Sequence, residues 1–177
     1  MWRVAAIHEC GGWSSKTLTE DLELSYRVQM HGLRLGYTDA IACPGLLPES
    51  LAALRIQQFR WAKGSVQTAI LWLPRILRSE QSSPIKLHAI MHLLHYTVQP
   101  ALTLYLMGAM LVFPDGPATG LFPLFLLPSL LYVCGAVRLG KSAWRALLSA
   151  PAMFVLGILL SRTIASACFQ AVIDRKS

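Results

Sequence analysis

Two neighbouring acids, Glu20 and Asp21, stand at the start of a predicted helix. The unpaired N–H groups and the dipole of a helix N-terminus favour an ionised carboxylate, which is the form in which a general base begins its work. Asp21 is the better candidate for such a base, and Glu20 is the better candidate for a helix cap. Acids are common in any first helical turn, so on these two residues alone an ordinary turn is the simpler interpretation.

A second group, Gln57, Arg60 and Trp61, has the spacing i, i+3 and i+4, which predicts that the three side chains share one helix face. Tryptophan offers a flat surface for the C–H face of a sugar, and arginine with glutamine offers donors for phosphate or hydroxyl groups. Such a face could hold an acceptor sugar and a leaving diphosphate together. The alternative is an amphipathic helix with Trp61 at a membrane interface and Arg60 on a lipid phosphate.

Three histidines, His88, His92 and His95, follow at i, i+4 and i+7 on one face of a long apolar segment. Three imidazoles in this arrangement could bind zinc, iron or haem, as in a membrane oxidoreductase or hydroxylase. No further histidine boxes or nearby carboxylates accompany them. Interfacial histidines, or a polar lining of a passage through the membrane, are the simpler interpretation.

The element that must position the acids is a helix predicted over about Glu20–His31 and stopped by Gly32 in the C′ position. Thr17 and Glu20 have the spacing of a capping box, with Thr19 as a competing N-cap. The helix therefore presents both acids in its first turn.

The face of Gln57, Arg60 and Trp61 requires a second helix, which we expect to start around Ser50 and to run to about Gln67. Between the two helices, apolar runs at 33–37 and 40–43 predict a short β segment. Residues 66–77 are apolar, carry Trp72 and end in basic residues, which is typical of a helix lying along a bilayer interface.

The composition indicates a membrane protein. Residues of the AVILMFWYC set make up 54% of the 177 residues, charged residues make up 14%, and the mean hydropathy is +0.48. Apolar spans are predicted at 87–113, 121–137 and 146–172. The loop 138–145 is basic, so the positive-inside rule predicts that it faces the cytoplasm. The net charge is +7, and the basic residues flank these spans without interleaved aromatic residues. No nucleic-acid partner is therefore expected.

Taken together, the motifs resemble the C-terminal part of a processive family 2 glycosyltransferase, the group of cellulose synthases and bacterial cellulose-synthase-like proteins. The resemblance is carried by Gly-Gly-Trp-x-x-x-Thr-Leu-Thr-Glu-Asp-Leu-x-Leu-Ser-Tyr-Arg from Gly11 and by Gln-Gln-x-Arg-Trp-Ala-Lys-Gly-Ser from Gln57. It implies an α+β remnant of a GT-A glycosyltransferase domain, followed by an interface helix and about three transmembrane helices. The corresponding ranges are 1–65 for the glycosyltransferase part, 66–84 for the interface helix and linker, and 85–177 for the membrane domain.

The resemblance further implies an inverting transfer from a nucleotide-sugar to a growing glycan. Asp21 matches the base that deprotonates the acceptor hydroxyl, with Glu20 beside it. Gln57, Arg60 and Trp61 match the motif that lines the acceptor end and contacts the donor diphosphate. The family implies a multi-pass protein of the inner or plasma membrane, with the catalytic part in the cytoplasm and the helices in the lipid bilayer.

The sequence departs from the family on the donor side. The family holds Mg²⁺ or Mn²⁺ with an Asp-x-Asp pair, and no two of the four aspartates here have that spacing. We therefore expect this chain to contain no metal ligands, to be inactive alone, and to be a fragment that depends on a missing N-terminal half or a partner subunit. A non-catalytic membrane subunit or inactive remnant is the alternative, and the donor sugar stays open among glucose, mannose and N-acetylglucosamine.

Overall fold

The computed structural model of the chain describes residues 2–38, 40–41, 43–112 and 123–174. Within those ranges the secondary structure is helical. The helices are α1 (Val4–Glu9), α2 (Glu20–Met30), α3 (Leu51–Arg78), α4 (Ser83–Val112), α5 (Pro123–Arg138) and α6 (Ala143–Ile173).

The chain divides into two compact units, and the predicted site residues all belong to the first. This unit contains the described residues up to Tyr96 together with those from Ile164 onward, and the second contains Thr97–Thr163. The core of the first unit forms where α2 packs on α3 and on the start of α4, around Tyr26, Trp72 and Leu93. This packing positions the two sequence motifs.

Helix α2 begins at the predicted residue, and its N-cap is the competing candidate Thr19, not Thr17. Thr19 makes no side-chain capping bond. The Thr17 hydroxyl donates to the Thr19 carbonyl at 3.1 Å, so the predicted capping box is wrong. The reason is tertiary contact: Thr17 and Thr19 are both turned inwards, and the Thr19 side chain lies against α3.

The end of α2 confirms the predicted glycine stop. Gly32 has a φ of +83°, a conformation that favours glycine. Its N–H donates to the Gln29 carbonyl at 3.0 Å, and the Leu33 N–H donates to the Val28 carbonyl at 3.1 Å. This is a Schellman motif, and Leu33 packs against the apolar cluster that contains Val28.

The β segment predicted after α2 is not formed by the described residues 33–38, 40–41 and 43. Most of their side chains are exposed. A strand bonds its backbone groups only by pairing with another strand, and the described part of the chain offers none. The short apolar runs were therefore a misleading signal for a strand here.

Helix α3 is longer than predicted, since it runs without a break through the expected division near residue 66. The Ser50 Oγ caps its start by accepting from the Ala53 N–H at 3.1 Å. The one proline, Pro74, lies in its last turns. Trp72 was expected at a bilayer surface, but it is 7% exposed and packs on Tyr26.

The three later helices are strongly apolar. Among the described residues, one stretch, Val155–Ile173, is both long and apolar enough to cross a bilayer by its length and composition. A shorter apolar stretch covers Pro100–Ala109. The sequence Pro114-Asp-Gly-Pro117, which predicts a turn after the first span, lies outside the described residues.

Candidate functional site

The loop that leads into α2 rests on α3, and this contact brings the two motifs together. Thr19 packs directly on Gly64, where a Cβ would overlap the Thr19 hydroxyl and methyl groups. One turn later, the Gln67 Oε1 accepts the Leu18 N–H at 3.0 Å. Since Gly64 follows Arg60 by one helical turn, the loop that leads into Glu20 and Asp21 is docked beside the Gln-x-x-Arg-Trp face.

Both predicted acids are exposed. Asp21 makes one local bond, in which its Oδ1 accepts the Leu22 N–H at 2.8 Å. Two residues advance about 200° around a helix axis, so Asp21 lies on the side of α2 opposite to Thr19 and Glu23, which face α3. Asp21 is therefore open to a ligand from outside.

The structure brings Gln57, Arg60 and Trp61 together along one wall of an open cavity of about 370 Å³. Ala53 and Ile56 complete its lining. Arg60 is exposed, and 47% of the Trp61 surface is accessible, which leaves the ring free to stack. A sugar with hydroxyl or phosphate groups suits such a wall. Asp21 does not line this cavity.

A second cavity of about 380 Å³ lies beneath the loop that precedes α2. Its lining is formed by Ser15, Lys16, Thr17, Leu18, Lys63, Gln67 and Asp174. The Lys63 ammonium donates to the Asp174 carboxylate at 2.6 Å and lies 5.9 Å from the centre of the Phe59 ring. Lys63 therefore has an acidic partner within this cavity.

Sequence reasoning missed the buried contacts that fix this arrangement. Glu23 is 2% exposed and bonds to Arg27 and Trp72. The i, i+4 spacing of Glu23 and Arg27 was a readable signal for their ion pair. The contacts of Glu23 with Trp72, and of Thr19 with Gly64, join distant parts of the chain and left no local signal.

The histidines connect α4 to α2. The Tyr26 hydroxyl and the His92 Nδ1 are 2.8 Å apart, and burial raises the pKa of Tyr26 to about 12. The His92 ring stacks with those of His88 and His95, at centroid distances of 6.0 and 6.3 Å. The His95 Nδ1 lies 2.6 Å from the His92 carbonyl. In the part of the chain that the structure describes, no three or more His, Cys, Asp or Glu residues form a group that could hold a metal ion.

The described residues also bear on whether this chain could bind the divalent cation that the resemblance implies. Glu20 and Asp21 are adjacent acids at one helix start, and Glu23 is buried with both oxygens bonded. Hard cations need several converging oxygen ligands. The described residues do not provide such a set, so no step of the chemistry is assigned to a metal here.

Comparison with known families gives one match that covers most of the chain. The model described as "Glycosyl transferase family group 2" matches residues 1–167. The match includes both the loop before α2 and the whole of α3. No solved structure matches the chain.

Curated relatives from Arabidopsis thaliana match about half of the chain. Glucomannan 4-beta-mannosyltransferase 7 is 37% identical over 83 residues, which are 47% of this chain and 15% of that protein. Probable glucomannan 4-beta-mannosyltransferase 11 is 33% identical over 46% of this chain and 18% of its own length. Probable glucomannan 4-beta-mannosyltransferase 3 is 39% identical over 41% and 12%. The matched part thus spans less than a fifth of these relatives.

Proposed function

Because the chain belongs to glycosyl transferase family group 2, we propose that it forms the acceptor side of a membrane glycosyltransferase. This enzyme transfers a sugar from a nucleotide-activated donor to a growing glycan, with inversion at the anomeric carbon. The family match over residues 1–167 supports the sugar transfer, and the two docked motifs support the part of the site that this chain supplies.

The observation that carries the proposal is the packing of Thr19 on Gly64. It holds the start of α2 within one helical turn of Arg60 on α3. An exposed carboxylate and an exposed Trp/Arg/Gln wall then belong to the same region of the first unit. An acceptor glycan that reaches from this wall to the outer side of α2 would meet a binding surface and a base together.

In the proposed mechanism, Asp21 takes the proton of the acceptor hydroxyl as that oxygen attacks the anomeric carbon. Trp61 stacks on the acceptor sugar, and Arg60 and Gln57 donate to its hydroxyls or to the departing diphosphate. Donors aimed at developing negative charge lower the barrier to departure. Glu20 lies beside Asp21 in the first turn of α2.

We propose that the groups binding the nucleotide and its metal come from a further segment or a partner subunit, since the sequence contains no Asp-x-Asp pair. We keep residues 1–65 as the glycosyltransferase part, 66–84 as an interface helix and linker, and 85–177 as the membrane domain. In this arrangement the protein is multi-pass, and its catalytic part faces the cytoplasm. The apolar helix Val155–Ile173 supports a location in the membrane.

The names of the three relatives suggest mannose as the first sugar to test. The experiment uses membranes from the source cells with the gene deleted or restored at its own locus, which keeps any partner in place. Incorporation of label into polymer is measured from GDP-mannose, GDP-glucose, UDP-glucose and UDP-N-acetylglucosamine. We expect incorporation from one donor that depends on the chain. Equal incorporation from every donor with and without the chain would contradict the proposal.

The lack of an Asp-x-Asp pair in the sequence keeps a non-catalytic membrane subunit as the second candidate. Deletion would lower sugar transfer in that case too. The two candidates differ at Asp21, because only the catalytic one loses transfer when this single carboxylate becomes an amide.

A further inference from the structure

Glu23 is a buried acid that the proposed chemistry does not use. It is 2% exposed and is among the largest fully buried side chains among the described residues. Burying a carboxylate is costly unless each oxygen finds a donor. Here the Trp72 Nε1–H donates to Oε1 at 3.0 Å, and the Arg27 Nη2–H donates to Oε2 at 3.0 Å. Both oxygens are therefore engaged.

Arg27 extends the connection to the segment before α2. Its Nη1 donates to the Cys10 carbonyl at 2.5 Å, and its Nη2 donates to the Gly12 carbonyl at 2.6 Å. These carbonyls belong to the glycine turn after α1, where Gly11 and Gly12 both have positive φ. One buried ion pair thus connects the turn, α2 and α3.

The direction of Asp21 depends on how α2 is rotated about its own axis. Thr19 and Glu23 are one turn apart and both contact α3, at Gly64 and at Trp72. Asp21 lies between them in sequence and on the opposite side of the helix. A rotation of α2 that broke the Glu23–Trp72 bond would turn Asp21 away from its present direction.

We propose that Glu23 is a positioning residue for the transfer reaction: its bonds to Trp72 and Arg27 fix the rotation of α2 on α3 and so aim Asp21 at the acceptor. This inference rests on the proposed function, in which Asp21 is the base. Glu23 itself touches no reactant. A purely structural Glu23 would affect only how much folded protein is present, whereas a positioning Glu23 affects the turnover of each folded molecule.

The first test measures sugar transfer in the native membranes for Glu23→Gln and Trp72→Phe. Glu23→Gln keeps the size of the side chain and removes its charge. Trp72→Phe keeps an aromatic ring but removes the N–H donor together with one ring of the indole. Exposed Glu49, in the turn before α3, supplies the control Glu49→Gln. We expect kcat per folded molecule to fall by at least about tenfold, since small misplacements of a reacting group are costly, while KM for the donor stays the same.

The second test needs no activity. Nitroxide labels on Gln29→Cys in α2 and Arg78→Cys in α3, both exposed sites, report the distance between the helices in the purified full chain. Other accessible thiols are replaced by serine. We expect Glu23→Gln and Trp72→Phe to broaden or shift the distance distribution, and Glu49→Gln to leave it unchanged.

The outcomes separate the inference from the proposed function. Unchanged kcat per folded molecule in both variants would overturn the positioning role, whatever the labels show. An unchanged label distribution would overturn it as well. If the wild-type membranes transfer no sugar, the proposed function fails, and the label distances alone decide whether Glu23 fixes α2.

Discussion

Arg60 lies exposed on the cavity wall, between Gln57 and Trp61 along one face of α3. Its planar guanidinium can give two parallel hydrogen bonds to a phosphate or to neighbouring hydroxyls, whereas a lysine ammonium acts as a point charge. If the face binds the diphosphate and the acceptor as proposed, the shape of this cation matters as much as its charge.

We predict that Arg60→Lys lowers kcat/KM for sugar transfer by about 10- to 100-fold, the effect of losing a charge-assisted bond of about 1.5–3 kcal/mol. The matched control is Arg55→Lys, which changes an exposed arginine of the same helix that does not line the cavity. The assay is incorporation in native membranes. Equal losses in the two variants would contradict a special role for the planar guanidinium of Arg60.

At single residues, the sequence was informative where chemistry follows from spacing along one helix. The separation of Gln57, Arg60 and Trp61 placed them on one face, and the structure brings them to one cavity. Glu23 was overlooked because its partner Trp72 lies in another helix. No local pattern reports that pairing.

The contact between the loop before α2 and helix α3 depends on a residue without a side chain. Gly64 lets Thr19 approach the helix backbone, and the Thr19 hydroxyl is buried without a hydrogen-bond partner among the described residues. A methyl group at Gly64 would push the loop outwards. The relative position of the two motifs should therefore be sensitive to this one position.

We predict that Gly64→Ala destabilises the chain by about 1–3 kcal/mol, as overpacking of a close contact does, although alanine is the better helix former. Gly108→Ala in α4 is the control, because a Cβ there meets nothing within 4 Å. Denaturant unfolding in detergent measures both. In a double-mutant cycle, Thr19→Ala should recover part of the loss, and strict additivity of the two changes would contradict the contact.

Tyr26 and His92 form a second connection, between α2 and α4. Burial raises the pKa of Tyr26 to about 12 from its ordinary 10.0. The unfolded chain therefore releases the phenol proton at lower pH than the folded chain does. The stability that depends on neutral Tyr26 is complete below pH 10.0 and is lost as the pH rises to about 12.

We predict that the free energy of unfolding of wild type falls more steeply than that of Tyr26→Phe between pH 10.0 and about 12. Urea titrations across this range measure the difference, and tyrosinate absorbance follows the ionisation directly. Parallel curves for the two proteins would show that Tyr26 ionises as freely in the folded chain as in the unfolded one.

Helix boundaries were predictable where a local signal decides them, and strands were not. Gly32 ended α2 as expected, because its positive φ and the two backbone bonds around it are local events. Residues 33–38 have apolar character but form no strand, since pairing requires a distant partner. Helix α3 continued past its predicted end because Trp72 and Ile76 are buried in the core that it forms with α2 and the start of α4.

For the whole molecule, we propose from the positive-inside rule that the basic loop 138–145 faces the cytoplasm and that the segment near residue 115 lies outside. The apolar helix Val155–Ile173 is the part that the structure supports as a span. Its charged residue Arg162 is exposed in the structure, and insertion of such a residue costs about 2.5–3.5 kcal/mol at a helix centre. The composition predicted a membrane protein. The number of membrane crossings was less predictable, because it depends on whether charged residues such as Arg162 find partners that offset the cost of insertion.

We predict that Ser142→Cys is protected from a membrane-impermeant maleimide applied outside intact cells, while Thr119→Cys is labelled. Native cysteines are replaced by serine in both. Opening the cells should expose Ser142→Cys. The reverse pattern would invert the topology and would place the proposed catalytic part on the wrong side for a cytoplasmic nucleotide-sugar.

The measurement that bears most directly on the proposal is the rate of sugar incorporation in native membranes carrying Asp21→Asn. The account predicts a loss of about 10²- to 10⁴-fold, the contribution of a general base, with an unchanged amount of protein in the membrane. Glu80→Gln, an exposed acid in the turn after α3, should keep the wild-type rate. A wild-type rate for Asp21→Asn would contradict the assignment of the base and would favour a non-catalytic membrane subunit.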